Sequence, residues 1–204
     1  RSGKTDLIIH YMVMRALQYP KSKQIVLRKH RVRAAKSIWK GTLKKYLQRE
    51  MTPDHYTIHE STLTVEFLNG ATIEIGGLDN KDRVEGTFGN EYLTVYLNEA
   101  TELDWSTAQM SFTLACQPVK DFRGHTVVNK WIMDCNPRGP RHWVRKVGIQ
   151  HVDPDTGEAL ENADNWGVIA DWTAYDNLEN LPASYVKDLE SLTGTHKERM
   201  LKGL

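Results

Sequence analysis

The 204-residue chain is short of the features that mark secreted, membrane-spanning and zinc-stabilised proteins. It has two cysteines, Cys116 and Cys135, and no signal-peptide pattern at its start, which predicts reduced thiols in a cytosolic protein. None of its eight histidines pairs with a cysteine at metal-ligand spacing, so a structural zinc site is not expected. No apolar run approaches the ~18 residues that a membrane span requires. Acidic residues are scarce in one region: between Lys21 and Glu50 there are eleven Lys or Arg and one acid. The initiator Met is also absent, and the chain opens inside a loop motif, which predicts a piece of a longer protein.

What is present describes an ordinary globule, with 40% hydrophobic and 26% charged residues and a net charge of +1. A single domain of α/β type spanning 1–204 is the expectation. The opening Arg1-Ser2-Gly3-Lys4-Thr5 is the back half of a phosphate-binding loop, G-x-x-x-x-G-K-[ST]. In such a loop the amides and the lysine hold phosphate oxygens, the threonine ligates Mg²⁺, and the next helix presents its positive end to the anion. Gly-Lys-Thr alone is a common tripeptide, and an ordinary helix start would also account for it. The twelve residues that follow, Asp6 to Leu17, contain no proline or glycine and read as that helix.

Gln24 to Arg28 then reads as a short buried strand. A long helix is predicted from about Arg31 to Arg49, with Val32, Ala35, Ile38, Trp39, Leu43, Tyr46 and Leu47 on its apolar face. Glu60 to Leu78 has the alternation of a hairpin turning at Asn69-Gly70. Gly76 to Asn90 is polar and glycine-rich and reads as a surface loop. Glu91 to Leu97 is the strongest strand, a helix follows from about Trp105 to Ala115, and Val127 to Asp134 is a further strand. After a short helix near Arg141 and a tight turn over Asp153 to Gly157, a last strand is expected from Trp166 to Trp172. Helices around Ala183–Leu192 and Thr195–Leu201 close the chain.

In an open parallel sheet, ligands bind beyond the C-terminal strand edges. One strand would feed Lys4-Thr5, a second delivers Asn98-Glu99, and a third delivers Asn136. An apolar strand followed at once by a carboxylate is the Walker B arrangement of nucleoside triphosphatases. Asn98 would support Mg²⁺ through water, without the charge that an aspartate brings there. Glu99 would orient or deprotonate the attacking water. The alternative is that Asn98-Glu99 simply caps the next element. Asn136 and His142 invite a role in sensing the γ-phosphate, against an Asx-Pro turn with no function. The basic face of the helix, with Lys36, Lys40 and Lys44, fits either a DNA backbone or a solvated surface.

Taken jointly and in order, three segments resemble the large terminase subunit of tailed bacteriophages: Arg1 to Thr5, the run Tyr92 to Leu103, and Cys135-Asn136-Pro137 followed by His142-Trp143. Asn69-Gly70 leading to Arg83 and Gly86, and Ala174-Tyr175-Asp176-Asn177 with Leu181-Pro182 and Tyr185, resemble it too. The resemblance implies a P-loop ATPase domain of the ASCE type, a mainly parallel sheet flanked by helices with an inserted β-hairpin. It implies ATP and Mg²⁺ as cofactors, and double-stranded DNA, a portal protein and a small terminase subunit as partners. A homo-oligomeric ring in the host cytoplasm, docked transiently at the procapsid portal vertex, is implied as well. The family's separate nuclease domain would lie beyond residue 204, with residues 173–204 as closing helices and the start of a linker.

On this resemblance the activity is ATP hydrolysis coupled to DNA packaging. Arg1, Ser2, Gly3, Lys4 and Thr5 would bind nucleotide, Thr5 and Asn98 would serve Mg²⁺, and Glu99 and Lys4 would be catalytic. An arginine finger would come from Arg1, Arg83, Arg138 or Arg141. Two alternatives stand beside it: a P-loop phosphotransferase, separable by the fate of labelled phosphate, and a DNA-binding or assembly module whose nucleotide site has decayed.

Overall fold

A computed structural model of the protein describes residues 3–79, 87, 89–136, 139, 141–161, 167 and 172–201. Two compact units are present, one of Thr5–Asp134 and one of Arg1–Lys4 with Cys135–Leu204. No helix among the described residues is long and apolar enough to cross a membrane.

The larger unit is built on a six-stranded sheet. Helix α1 (Lys4–Gln18) leads into β1 (Lys23–Arg28), and a continuous helix, α2, covers 31–50. Then follow β2 (Tyr56–His59), β3 (Thr64–Phe67), β4 (Thr72–Gly77), β5 (Thr94–Leu97), α3 (Trp105–Phe112) and β6 (Lys130–Met133). The strand order is β2-β3-β4-β1-β5-β6. Strand β1 is parallel to both β4 and β5, and β5 is parallel to β6, while β2 and β3 add an antiparallel edge. Apart from the segment β2, whose short alternation was not anticipated, this is the mainly parallel sheet with a hairpin that the sequence predicts.

Local chemistry explains the framework. Val26, Ile75 and Tyr96 lie side by side in register and are buried, as strands covered on both faces require. Ile9, Met12 and Val13 of α1 join Ile38, Trp39, Leu43 and Leu47 of α2 in one core with Val65, Phe67 and Ile73. The turn at Asn69-Gly70 also ends α1: Asn69 Nδ2 donates to the carbonyls of Ala16 (2.8 Å) and Leu17 (3.1 Å), satisfying last-turn acceptors. Gly70 supplies the φ of +77° that the turn needs. Asp104 starts α3 as its N-cap, accepting from the Thr107 N–H at 2.7 Å.

Helix α2 departs from the expected α-helix. Its middle, Ala35–Leu43, is π-helical. Ile38, Trp39 and Leu43 are its buried residues. Val32, expected on the apolar face, is 79% exposed. Residues of the expected Gly76–Asn90 loop are largely outside those described, as is most of the Trp166–Trp172 strand.

The smaller unit contains a short helix, α4 (Trp143–Arg145), continued by a π-helical turn over Lys146–Gln150, and the closing helices α5 (Ala183–Ser191) and α6 (Gly194–Leu201). Ala174, Leu189 and Leu201 form its buried cluster. The tight turn is present, with Asp153 Oδ1 accepting from the N–H groups of Asp155 and Thr156.

Two close contacts make stability predictions. A Cβ on Gly77 would lie 2.5 Å from Arg31 Cβ and 2.6 Å from its backbone nitrogen, so strand end and helix start must separate to admit it. Gly77→Ala should lower stability by about 1–3 kcal/mol in urea unfolding, and an unchanged midpoint would disprove the contact. The second is the Arg28–Glu102 ion pair at 3.3 Å, joined by Arg33 at 3.3 Å, which ties α2 to the sheet. Burial pushes the Glu102 carboxyl up, but the Arg28 hydrogen bond and the Arg28 and Arg33 charges outweigh it and hold the pKa below the ordinary value. Glu102 therefore adds stability above its unfolded pKa of about 4.3, lost as pH falls through the lower folded value. Glu102→Gln should be less stable than the parent at pH 7, with the gap closing on acidification below about pH 4.

Candidate active site

The three parallel strands β1, β5 and β6 end at one level, with Leu27 opposite Leu97 and Leu97 opposite Met133. Arg28, the last residue of β1, and Asn98 and Asp134, just past β5 and β6, therefore line one edge of the sheet. Thr5 reaches the same edge from the first turn of α1, whose positive end faces any anion bound there.

Asp134 is the junction. Its carboxylate is 8% exposed. Oδ1 accepts from Asn98 Nδ2 and from the Glu99 N–H, both at 3.0 Å, and Oδ2 accepts from the Thr5 hydroxyl at 3.3 Å. The second proton of the Asn98 amide goes to the Tyr96 hydroxyl at 3.0 Å. Burial drives the Tyr96 pKa well above its usual value and the Asp134 charge adds to this, so Tyr96 is a neutral phenol. The backbone completes the frame: the Asn98 N–H donates to Leu27 O and the Ala100 N–H to Asp134 O.

Glu99 follows Asn98 in a left-handed conformation, φ 53° and ψ 50°. A non-glycine residue there is strained and marks a place to look for function. The next acids along the chain are committed elsewhere. Glu102 pairs with Arg28 and Arg33, and Asp104 caps α3, its pKa lowered by the Thr107 N–H and the Ser106 hydroxyl.

The other expected site residues stand as follows. Arg1 and Ser2 lie outside the described residues, as do Arg83 and Arg138. In the smaller unit, Gly3 has a φ of +80°, and a Cβ on it would lie 3.3 Å from Asn177 Oδ1. Lys4 is the first residue of α1, directly before Thr5. Asn136 is half-buried just after Cys135, and Arg141 is exposed. His142 has a local structural duty, since its Nδ1 accepts the Val144 N–H at 3.3 Å as the N-cap of α4. On α2, Lys36 and Lys40 are exposed, whereas Lys44 is ion-paired with Glu60, which also accepts from Trp39 Nε1 at 2.8 Å.

Asp134 was missed as a site residue, although a signal exists. Trp131-Ile132-Met133-Asp134 repeats the pattern of Val95-Tyr96-Leu97-Asn98, three apolar residues and then a polar one, at the end of a neighbouring strand. Among the described residues no three His, Cys, Asp or Glu gather to hold a metal by themselves. The hydroxyl, amide and carboxylate oxygens of Thr5, Asn98, Glu99 and Asp134 are nonetheless hard donors. They suit Mg²⁺, which is commonly held by one or two carboxylates together with substrate phosphates and water.

Comparison with known proteins accords with this geometry. The chain is similar in fold to the large terminase of the thermophilic bacteriophage D6E, with a TM-score of 0.74 and 17% identity, covering 100% of this chain and 46% of that one. It is similar to the same protein in complex with ADP, with a TM-score of 0.71, 17% identity and the same coverage of 100% and 46%. The large terminase ATPase domain of Thermus phage P74-26 matches with a TM-score of 0.60 and 12% identity, over 100% of this chain and 85% of that one. The chain thus spans less than half the length of the D6E terminase. No sequence of curated function matches it. The fold is that of a terminase ATPase domain, a P-loop NTPase fold. The sequence model for the phage terminase large subunit matches residues 1–201, and the chain belongs to that family.

Proposed function

We propose that residues 1–204 act as one ATPase domain that hydrolyses ATP to drive double-stranded DNA into a phage procapsid. The observation that carries this reading is the set Thr5, Asn98, Glu99 and Asp134 at the ends of α1 and of two parallel strands, linked by direct hydrogen bonds. That is the place and the chemistry a triphosphate with its cation needs.

In this reading the amides around Gly3 and the Lys4 ammonium bind the β- and γ-phosphates, with Arg1 and Ser2 completing the loop. Thr5 and, through water, Asn98 hold Mg²⁺, which when bound neutralises phosphate charge. Glu99, in its left-handed backbone conformation, accepts a proton from the attacking water. Asn136 carries the phosphate state to the rest of the motor. His142, the N-cap of α4, is assigned to the same coupling role. Arg141, Arg1, Arg83 or Arg138 supplies the arginine finger, worth roughly 10³–10⁵ in rate. The assembled motor is a homo-oligomeric ring in the host cytoplasm, docked at the portal protein and served by a small terminase subunit. A nuclease activity would belong to the part of the protein outside this chain.

The experiment is Glu99→Gln in protein carrying the complete phosphate loop. An amide of the same shape can orient water but barely deprotonate it. Phosphate release should fall by roughly 10²–10⁴ while Mg·ATP binding stays within a few-fold of the parent. Turnover at the parental rate would remove Glu99 from the mechanism.

DNA contact is assigned to the basic face of α2, where Lys36 and Lys40 are exposed without an ion pair among the described residues. Lys44 belongs to the same face but is held by Glu60, whose own pKa is lowered first by the Lys44 hydrogen bond and then by that of Trp39. Replacing Lys36 and Lys40 with Glu should abolish DNA-stimulated turnover and spare basal hydrolysis. Adding Lys44→Glu should instead cost stability, because it sets two carboxylates together. An unchanged salt dependence of DNA binding in the double variant would reject the assignment.

A further inference from the structure

The metal subsite proposed above has a charge problem. Asn98, at the end of β5, is neutral, so Thr5 and Asn98 offer a divalent cation no negative charge. One strand over, the opposite imbalance exists. Asp134 is 8% exposed, and the donors that reach it are a hydroxyl, a side-chain amide and a backbone N–H, all neutral. No ion pair to Asp134 is found among the described residues. A buried carboxylate satisfied only by neutral donors is a site that favours a cation.

We propose that Asp134 supplies the anionic charge of the metal subsite, moved from the end of β5 to the end of β6. The inference rests on the ATPase reading and adds to it a positioning residue that the sequence motif does not point to. Register makes the exchange possible: Leu97 lies opposite Met133, so Asn98 and Asp134 are neighbours, and the amide of one meets the carboxylate of the other at 3.0 Å. Asn98 becomes the clamp that holds the acid, with one amide proton on Asp134 and the other on Tyr96. Thr5 donates its single hydroxyl proton to Asp134 Oδ2, which turns the oxygen lone pairs outward as ligands. Asp134 thereby acts on the cation through the threonine that binds it and through bound water. The same pairing explains why Asn stands at 98. An aspartate there would set a second carboxylate oxygen about 3 Å from the first, where two like charges resist joint ionisation.

The test uses ADP and Mg²⁺ in the full-length protein, comparing parent, Asp134→Asn and the swap Asn98→Asp/Asp134→Asn. ADP affinity is measured by calorimetry with Mg²⁺ and again in EDTA, and Mn²⁺ binding in the presence of ADP is followed by electron paramagnetic resonance. Asp134→Asn should leave ADP affinity in EDTA within a few-fold of the parent. It should weaken Mn²⁺ binding and the Mg²⁺-dependent gain roughly 10–100-fold, the usual cost of losing a group behind a metal ligand. The swap restores the charge on β5 and should recover most of that loss. Equal weakening with and without metal would show a structural role and overturn the inference, as would no change. Should Asp134→Asn fail to fold, the swap decides alone: a folded swap lacking metal-dependent binding overturns the inference. A parent that binds ADP tightly but without any metal dependence would also overturn it while leaving the nucleotide site standing. A parent that binds no nucleotide would overturn the ATPase reading itself.

Discussion

Because β5 and β6 run parallel and end together, the carboxylate of Asp134 meets the Asn98 amide, the Glu99 N–H and the Thr5 hydroxyl at the same point. These groups come from segments far apart in the chain, the first turn of α1 and two strand ends. Asp134 is 8% exposed, so its carboxylate would otherwise lose water without replacement. A shift of one residue in the β5–β6 register would point Asp134 to the other face of the sheet and leave all of them unpaired. The ladder Val95–Trp131, Tyr96–Ile132 and Leu97–Met133, buried on β5 and half-buried on β6, fixes that register. Packing along these two strands thus determines polar geometry at their ends.

The same dependence of a polar surface on the core runs through α2. Ile38, Trp39 and Leu43 of its π-helical middle are buried, and Lys36 and Lys40 are left exposed. Glu60 then divides the basic face by taking Lys44 and the Trp39 indole together. Trp39 is fully buried, so its N–H needs an acceptor, and the carboxylate that serves it also draws in the nearest lysine. The charge displayed toward a partner is consequently less than a count of Lys and Arg along 31–50 suggests.

Much of the fold was legible because its signals are local. The apolar runs of β1 and β5, the alternation around Asn69-Gly70 and the uninterrupted helix after Thr5 each carry their own pattern, and each is present. What escaped depends on tertiary neighbours. Strand β2 has only Tyr56 and Ile58 half-buried on an edge, too short a pattern to separate from a loop. Val32 fits an α-helical stripe but not the surface that α2 buries. For the site, Asn98 and Glu99 could be chosen from sequence because they follow an apolar strand directly. Asp134 also follows an apolar run, but what sets it beside Asn98 is β6 lying next to β5, which the run does not reveal. The strand over Trp166–Trp172, Arg1 and Ser2 fall outside this comparison because they are not wholly among the described residues.

Glu99 is where strain and chemistry meet. A left-handed backbone at a non-glycine residue costs roughly 1–2 kcal/mol, and glycine would adopt it without that cost. A hydrogen bond to a charged group contributes about 1.5–3 kcal/mol, so the one from the Glu99 N–H to the Asp134 carboxylate is enough to offset the strain. The conformation is therefore held by Asp134, and the residue type at 99 must be explained by something other than the turn. Asp134, just past β6, thus fixes the hydroxyl, amide and backbone groups at the sheet edge, the Glu99 N–H among them.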